Sequence, residues 1–258
     1  MNNCGSPAGL HAHMNDEIGD SINGYSGAAV SAASSSSHSS GGKSMCADDP
    51  RRRWPAPAAP AAPSPDELTV QQRRRRLRIL EAALAMAGDG YEAVNMRGVA
   101  GRAGVAMGTL YRYFPGKEHL LVCAFGHWLR DFSTELAPHL VDIDNPYTRV
   151  WHTVQRLIDA MSRRGLLADA VARAYVFADA SVATEVENVR LQMVEMFADV
   201  MGNGAPVERD RQIGELLTDV LASNLPALAH NRSSIAEIRR RLVVTLCLLD
   251  KRQRSRTQ

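Results

Sequence analysis

Four side chains lie close together in one short stretch of this chain: Thr109, Tyr111, Arg112 and Tyr113, within the run from Met107 to Phe114. Carried on one helix, their hydroxyls and guanidinium are the groups that meet phosphate oxygens and base edges. An arginine in such a place can pair bidentately with guanine. Gly108, immediately before them, has no side chain and allows close approach of the helix to a partner.

The residues before this run supply the element that would position it. Asn95 is a favoured N-cap, and Val94 with Val99 fits a hydrophobic staple. Met96, Val99, Ala100 and Ala103 recur at i, i+3, i+4, i+7, giving one small apolar face. Gly104 is placed to end this helix in the left-handed conformation, and Val105 is the apolar plug of the turn. A second helix begins at Met107, with Leu110 and Phe114 inward and Thr109, Arg112 and Tyr113 outward. Pro115 and Gly116 stop it. Two short helices around a tight turn make a helix-turn-helix, whose second helix enters the major groove of double-stranded DNA. The same spacing also fits a plain helical hairpin in a core. The basic run Arg73–Arg76 with Arg78 just upstream favours DNA, because local clusters of charge make the footprint for nucleic acid.

A first helix is expected from Ser64-Pro65-Asp66-Glu67, which offers an N-cap, a proline at N1 and an acidic N3. It runs to about Ala87 on the stripe Leu77, Leu80, Leu84 and Ala87, and Gly88 and Gly90 end it. A fourth helix opens at Lys117 and passes through Trp128.

The stretch from Arg76 to Leu121 resembles the N-terminal domain of TetR-family transcriptional regulators. The residues that carry the likeness are Gly90-Tyr91-Glu92-Ala93, Val99-Ala100, Ala103-Gly104-Val105, Gly108 through Phe114, and Lys117-Glu118-His119-Leu120-Leu121. Ala106 departs from the serine often found at that cap. The resemblance implies that Arg97 and Arg112 contact bases or phosphates, and that Tyr111, Tyr113 and Lys117 contact phosphates. Gly108 and Thr109 would lie where the helix N-terminus meets DNA. It also implies a homodimer and a C-terminal domain that binds a small apolar effector. A narrower likeness, to actinobacterial repressors of cholesterol catabolism, implies a steroid- or lipid-derived CoA thioester as that effector.

The rest of the chain sets bounds. It has 258 residues and a net charge of +2. Few aromatics and abundant Ala and Leu suit an all-α protein. Residues 1–63 are rich in Ser, Gly, Ala and Pro and are expected to be disordered, because they cannot bury enough apolar surface to offset ordering. The expected domains are this segment, a DNA-binding domain over 64–125 and a helical effector-binding and dimerisation domain over 126–258. Cys4, Cys46, Cys123 and Cys247 have no metal-ligand spacing. Cys123 and Cys247 read as buried thiols, which fits a reducing cytoplasm. No apolar run is long enough for a membrane span, and the N-terminus lacks the order of a signal peptide.

Residues 140–258 show helical periodicity: Tyr147–Met161, Leu167–Ala178, Val182–Met201, Arg209–Ser223 and Ser234–Leu249. Their core is read as an effector pocket, a solid core or an active site. For the pocket, the candidates are Trp151, Met161, Phe177, Met193, Met196 and Phe197, an adaptable apolar set. For catalysis there is no nucleophile elbow, paired His-x-x-x-His or phosphate-binding Gly loop. No enzyme, cofactor or metal is expected. The last helix carries Ile235, Ile238, Leu242, Leu246 and Leu249 as a seam that needs a partner; some of it is expected to pack within the chain, and the family resemblance implies a four-helix interface made by two copies of this helix and Arg209–Ser223, with Val220 and Leu242 at the contact.

Overall fold

The structure is a computed structural model that describes residues 68–257, with side chains through Asp250. The expected disordered segment and the Ser64–Glu67 cap lie outside the described residues. Among those residues the chain forms nine α-helices and two 3-10 turns, with no strand.

Helix α1, Val70–Ala87, is capped by Thr69, not by the expected Ser64. The Thr69 Oγ1 accepts from the Gln72 backbone N–H at 3.3 Å, and the Gln72 side chain accepts from the Thr69 N–H at 2.8 Å. This is a reciprocal capping box, and Thr69-x-x-Gln72 satisfies its pattern as well as the earlier residues do. The inward face of α1 is Ile79, Leu80, Ala82, Ala83 and Ala87. Leu77, expected in the stripe, is 40% exposed. At 3.6 residues per turn it lies about a third of a turn from the centre of that face.

Helices α2, Met96–Ala103, and α3, Met107–Tyr113, form the helix-turn-helix. Asn95 caps α2 by accepting from the Gly98 N–H at 2.8 Å. Val94 and Val99 are both buried in the core. Gly104 ends the helix at φ 64°, where a side chain would be strained. The Val105 N–H then closes on the Ala100 carbonyl at 3.0 Å. Ala106 provides no side-chain cap for α3.

Helix α4, Lys117–Leu136, packs on α1 and then continues into the C-terminal half. The expected domain boundary at 125/126 therefore falls within one unbroken helix, a rigid element shared by both halves. The remaining helices are α5, Pro146–Ser162; α6, Leu167–Phe177; α7, Ala183–Gly202; α8, Glu208–Ala229; and α9, Ile235–Thr257. The contact of α7 with α8 is the most extensive between any two of these helices. Helix α8 runs six residues past the expected Ser223 and includes Pro226. Helix α9 runs on past Leu249.

Two further expectations are corrected here. The seam of α9 packs mostly within its own chain: Ile238 and Leu242 are 0% exposed and Leu246 is 1% exposed. They are covered by the neighbouring helices, α5 among them. At the start of α9, Ser234 accepts from the Glu237 N–H at 3.2 Å, but the Glu237 carboxylate turns to Arg240 and Arg241 rather than back to the cap. These two guanidiniums hold that carboxyl down at about 2.

Arg149 on α5 is buried, yet the charge is well met. Its guanidinium donates to the carbonyls of Ile143 and Asp144 and to those of Val200 and Met201 in the last turn of α7. Those last carbonyls have no partner within their own helix and carry the negative end of its dipole.

Candidate functional site

The first component of the site is the outer surface of α3. Tyr111 is 48% exposed, Arg112 and Gly108 are exposed, and Thr109 is half-buried. A Cβ at Gly108 would meet no atom within 4 Å, so that end of the helix is open to a partner. Arg97 on α2 is exposed near the same turn. The Arg112 guanidinium lies over the Tyr113 ring at 5.6 Å, a cation–π contact made by an exposed side chain. Tyr113 does not face outward as expected. It is 3% exposed, and its hydroxyl is buried without a hydrogen-bond partner. Position 113 is i+3 from the inward Leu110 and neighbours Phe114, so the ring completes the inward face. Of the upstream basic run, Arg73 and Arg74 are exposed, whereas Arg76 turns inward over the Phe114 ring at 5.3 Å.

The start of α4 joins this surface to the core. The Lys117 ammonium sits 3.5 Å from the centre of the Tyr91 ring, and desolvation there lowers its pKa. The Tyr91 hydroxyl donates to Glu118, and burial followed by that carboxylate raises the phenol pKa. Phe177, at the end of α6, packs its ring on the other part of Tyr91 with centroids 5.6 Å apart. At the start of α6 the Leu166 N–H donates to the Gly88 carbonyl at 2.8 Å. Gly165, at φ 63°, permits this approach, since a Cβ there would stand 2.5 Å from the Gly88 oxygen. Both ends of α6 thus touch the segment 88–91 between α1 and α2.

A second junction lies two residues along α4. His119 Nε2 is 3.1 Å from a Glu185 carboxylate oxygen on α7, and its Nδ1 is 3.9 Å from Cys123 Sγ. Neutral His119 satisfies both when Nε2–H donates to Glu185 and Nδ1 accepts from the thiol. Burial lowers the His119 pKa, and Glu185 offsets part of that. Burial likewise pushes the Cys123 thiol up to about 11, so it is an unreactive thiol. The His119 ring also lies 5.8 Å from that of Phe114, the residue that closes α3.

The second component is a cavity of about 90 Å³ enclosed by α4 to α9. Leu121, Val122 and Phe125 of α4 line it, with Leu157 and Met161 of α5, Val171 and Ala174 of α6, Val186, Val189 and Met193 of α7, Leu221 and Leu225 of α8 and Ile238 of α9. Met161 and Met193 are thus on its wall. Trp151, Phe177, Met196 and Phe197 are not. Trp151 is half-buried against Val243 and Cys247, and Phe177 is spent on Tyr91. Met196 faces a separate cavity beside Arg149, and Phe197 is 0% exposed and does not line this one. Helical periodicity groups residues by face but does not say which face meets an internal void. Among the described residues no three His, Cys, Asp or Glu side chains are grouped to hold a metal ion. No described helix is long and apolar enough to cross a membrane.

Comparison with known proteins bears on both components. Residues 79–123 match the family of bacterial regulatory proteins named for TetR, and residues 144–249 match the tetracyclin repressor-like C-terminal domain. The chain is 46% identical over 179 residues to the HTH-type transcriptional repressor KstR of Mycobacterium tuberculosis, covering 69% of this chain and 81% of that one. The chain belongs to the TetR family. It is a DNA-binding transcriptional repressor of that family. The KstR of Rhodococcus jostii is 44% identical, covering 69% of this chain and 84% of the relative. Among solved structures, a TetR regulator from Rhodococcus sp. RHA1 superposes with a TM-score of 0.59 at 29% identity, covering 69% of this chain and 97% of that one. The TetR-family repressor FadR of Thermus thermophilus, solved with lauroyl-CoA, does so with a TM-score of 0.51 at 19% identity, covering 67% and 93%.

For this TetR-family chain, sequence reasoning missed Tyr91, His119 and Glu185 as residues that join the two components. A Gly-Tyr-Glu run and a Lys-Glu-His run are visible in the sequence. Their pairing with Phe177 and Glu185 is not, because those partners are 86 and 66 positions away.

Proposed function

We propose that this chain acts as a homodimer that grips a DNA operator with two copies of α3 and releases it when a small apolar effector enters the cavity. The effector we favour is a steroid- or lipid-derived CoA thioester. One observation carries the reading: α4 lines the apolar cavity with Leu121, Val122 and Phe125, and also begins at Lys117 beside the DNA-binding helices. A change at the cavity therefore moves the attachment of α3. Arg97, Gly108, Thr109, Tyr111, Arg112 and Lys117 are the proposed DNA contacts, with Tyr113 as their support from beneath. Met161 and Met193 are the proposed effector contacts. Identity to the KstR repressors supports the narrower effector class. That FadR of the same fold was solved with lauroyl-CoA supports an acyl-CoA as the ligand class.

The test begins with duplexes selected from a random pool by the full chain. Their dissociation is then followed by fluorescence anisotropy with lauroyl-CoA, cholanoyl-CoA and free CoA. Release by a thioester and not by CoA supports the reading. Unchanged DNA affinity with every thioester would establish the second reading, a repressor that needs no effector.

A further inference from the structure

Lys117 opens α4 shortly after α3 ends, and it is half-buried. Among the described residues its ammonium has no carboxylate partner. Glu92 and Glu118 act on it only through space, and Glu118, the next residue in the helix, does not share its face. What the ammonium touches is the face of the Tyr91 ring, 3.5 Å from the centroid. The ring is itself held by two further contacts. Its hydroxyl donates to Glu118, and Phe177, at the end of α6, packs on it with centroids 5.6 Å apart. Tyr91 is 8% exposed, so the ring has little freedom of its own.

A ring and a carboxylate hold an ammonium in different ways. A carboxylate neutralises the charge and so cancels its attraction for a phosphate. A ring attracts the cation through its quadrupole and carries no net charge. The ammonium is then fixed with its charge intact. It has three N–H donors, and the ring face covers one side of it, so the side turned to solvent keeps donors for an anion. A lysine stem is flexible, and ordering it only on binding weakens association. Here the ring orders it in the free protein.

We propose that Tyr91 is a positioning residue for operator binding: its ring holds the Lys117 ammonium ready for a backbone phosphate without neutralising it. The inference rests on the reading of Lys117 as a DNA contact and adds the residue that aims it. Tyr91 itself, buried and engaged by Glu118, makes no DNA contact in this arrangement. Phe177 brings α6 against the same ring, so the aim of Lys117 also depends on the C-terminal half.

The experiment uses the full chain and a duplex that it selects from a random pool. Lys117→Met should weaken binding and make the log–log salt dependence shallower by about 2, since a dimer loses two phosphate contacts. Ordering one long side chain at an interface costs roughly a factor of 2 to 12 in affinity, and a dimer has two copies. Tyr91→Leu should therefore weaken binding by about 5- to 150-fold. Tyr91→Phe, which keeps the ring, should recover most of that loss. With Lys117→Met already in place, Tyr91→Leu should cost no more than about a further twofold. An equal loss with and without Lys117 makes Tyr91 a purely structural residue and overturns the proposal. Should Tyr91→Leu fail to fold, the wild type decides. Lysine occurs only at 43, 117 and 251, so in a chain carrying ε-13C-lysine the Lys117 signal is assigned by its loss in Lys117→Met. It should lie upfield, shifted by the Tyr91 ring current, both free and on the duplex. An unshifted signal in either state overturns the proposal. If Lys117→Met changes neither affinity nor salt dependence, Lys117 is not a DNA contact, and the inference fails with that reading.

Discussion

The proposed homodimer offers the sharpest test, because one of its expected contact residues lies in the chain's own core. Leu242 was expected at the subunit interface with Val220, but it is 0% exposed in a single chain, and Val220 packs partly on the same core. The free apolar surface of the last two helices is instead Leu216 at 42% and Leu248 at 64% exposure. Counting back from the turn at 230–234 along the antiparallel pair places these two residues level with one another. Burying a whole leucine is worth about 1.5–3 kcal/mol, so covering the exposed part of Leu248 gives about 1–2 kcal/mol. A two-fold axis uses each residue twice, which makes about 2–4 kcal/mol per dimer. Leu248→Glu should therefore raise the dimer dissociation constant by at least about 30- to 1,000-fold, with the glutamate desolvation adding to it. Sedimentation velocity across a concentration series reads this directly, and circular dichroism should show a folded monomer. Leu242→Glu should behave differently, losing the fold because a charge enters the chain's own core. A Leu248→Glu protein with the wild-type dissociation constant would refute the argument, as would a wild type that is monomeric at micromolar concentration.

Other outcomes follow from the same geometry. Arg112→Ala should weaken operator binding by about 1–3 kcal/mol if the guanidinium reads a base, and a folded variant with unchanged affinity would remove it from the interface. Arg149→Met strands four carbonyls that the guanidinium now satisfies; it should cost at least about 3 kcal/mol in urea denaturation, and a loss under about 1 kcal/mol would show that those carbonyls are met elsewhere. His119 titrates below its ordinary 6.5 because it is buried. The unfolded chain then takes up a proton that the folded chain resists, so stability should fall as pH drops below about 6.5; His119→Gln should flatten that limb between pH 7 and 5, and an unaltered slope would assign it to another group.

Local signals were the legible part of the sequence. Asn95, Gly104, Leu110 and Phe114 are where the helix-turn-helix pattern puts them, because capping, left-handed backbone and i, i+4 burial depend on neighbours a few positions away. Errors arose where distant partners decide the outcome. Tyr113 has a polar tip and a large apolar ring, and only the packing beneath α3 shows that the ring goes inward. Asn224 and Pro226 lie beyond the expected end at Ser223, yet α8 continues through them, with Asn224 Nδ2 donating to the Val220 carbonyl at 2.6 Å, and tertiary contact outweighs propensity. The stripe of α9 was correctly apolar, but periodicity does not say whether the partner is the same chain or a second one. The cavity was the least legible feature. Phe177 and Met193 belong to similar stripes, and only their placement puts one on Tyr91 and the other on the cavity wall.

The small size of the cavity bears on how release would work. Pockets for small molecules usually enclose about 300–1,000 Å³, whereas this one holds about 90 Å³. An effector of steroid or acyl size must therefore part the helices around it, and interiors packed at crystal density move by shifting whole elements. At 1.5 Å per residue, Leu121 on the wall is about 6 Å along α4 from Lys117. No flexible segment lies between them to absorb a displacement. Lys117 rests on Tyr91 and His119 on Glu185, so parting α4 from α6 and α7 strains the same contacts that seat α3. A dimer on DNA tolerates little of this, because its recognition helices must meet major grooves about 34–36 Å apart. Lowering operator affinity a hundredfold requires the effector to favour the parted state by about 2.7 kcal/mol. Two leucine-sized contacts made only in that state would supply it.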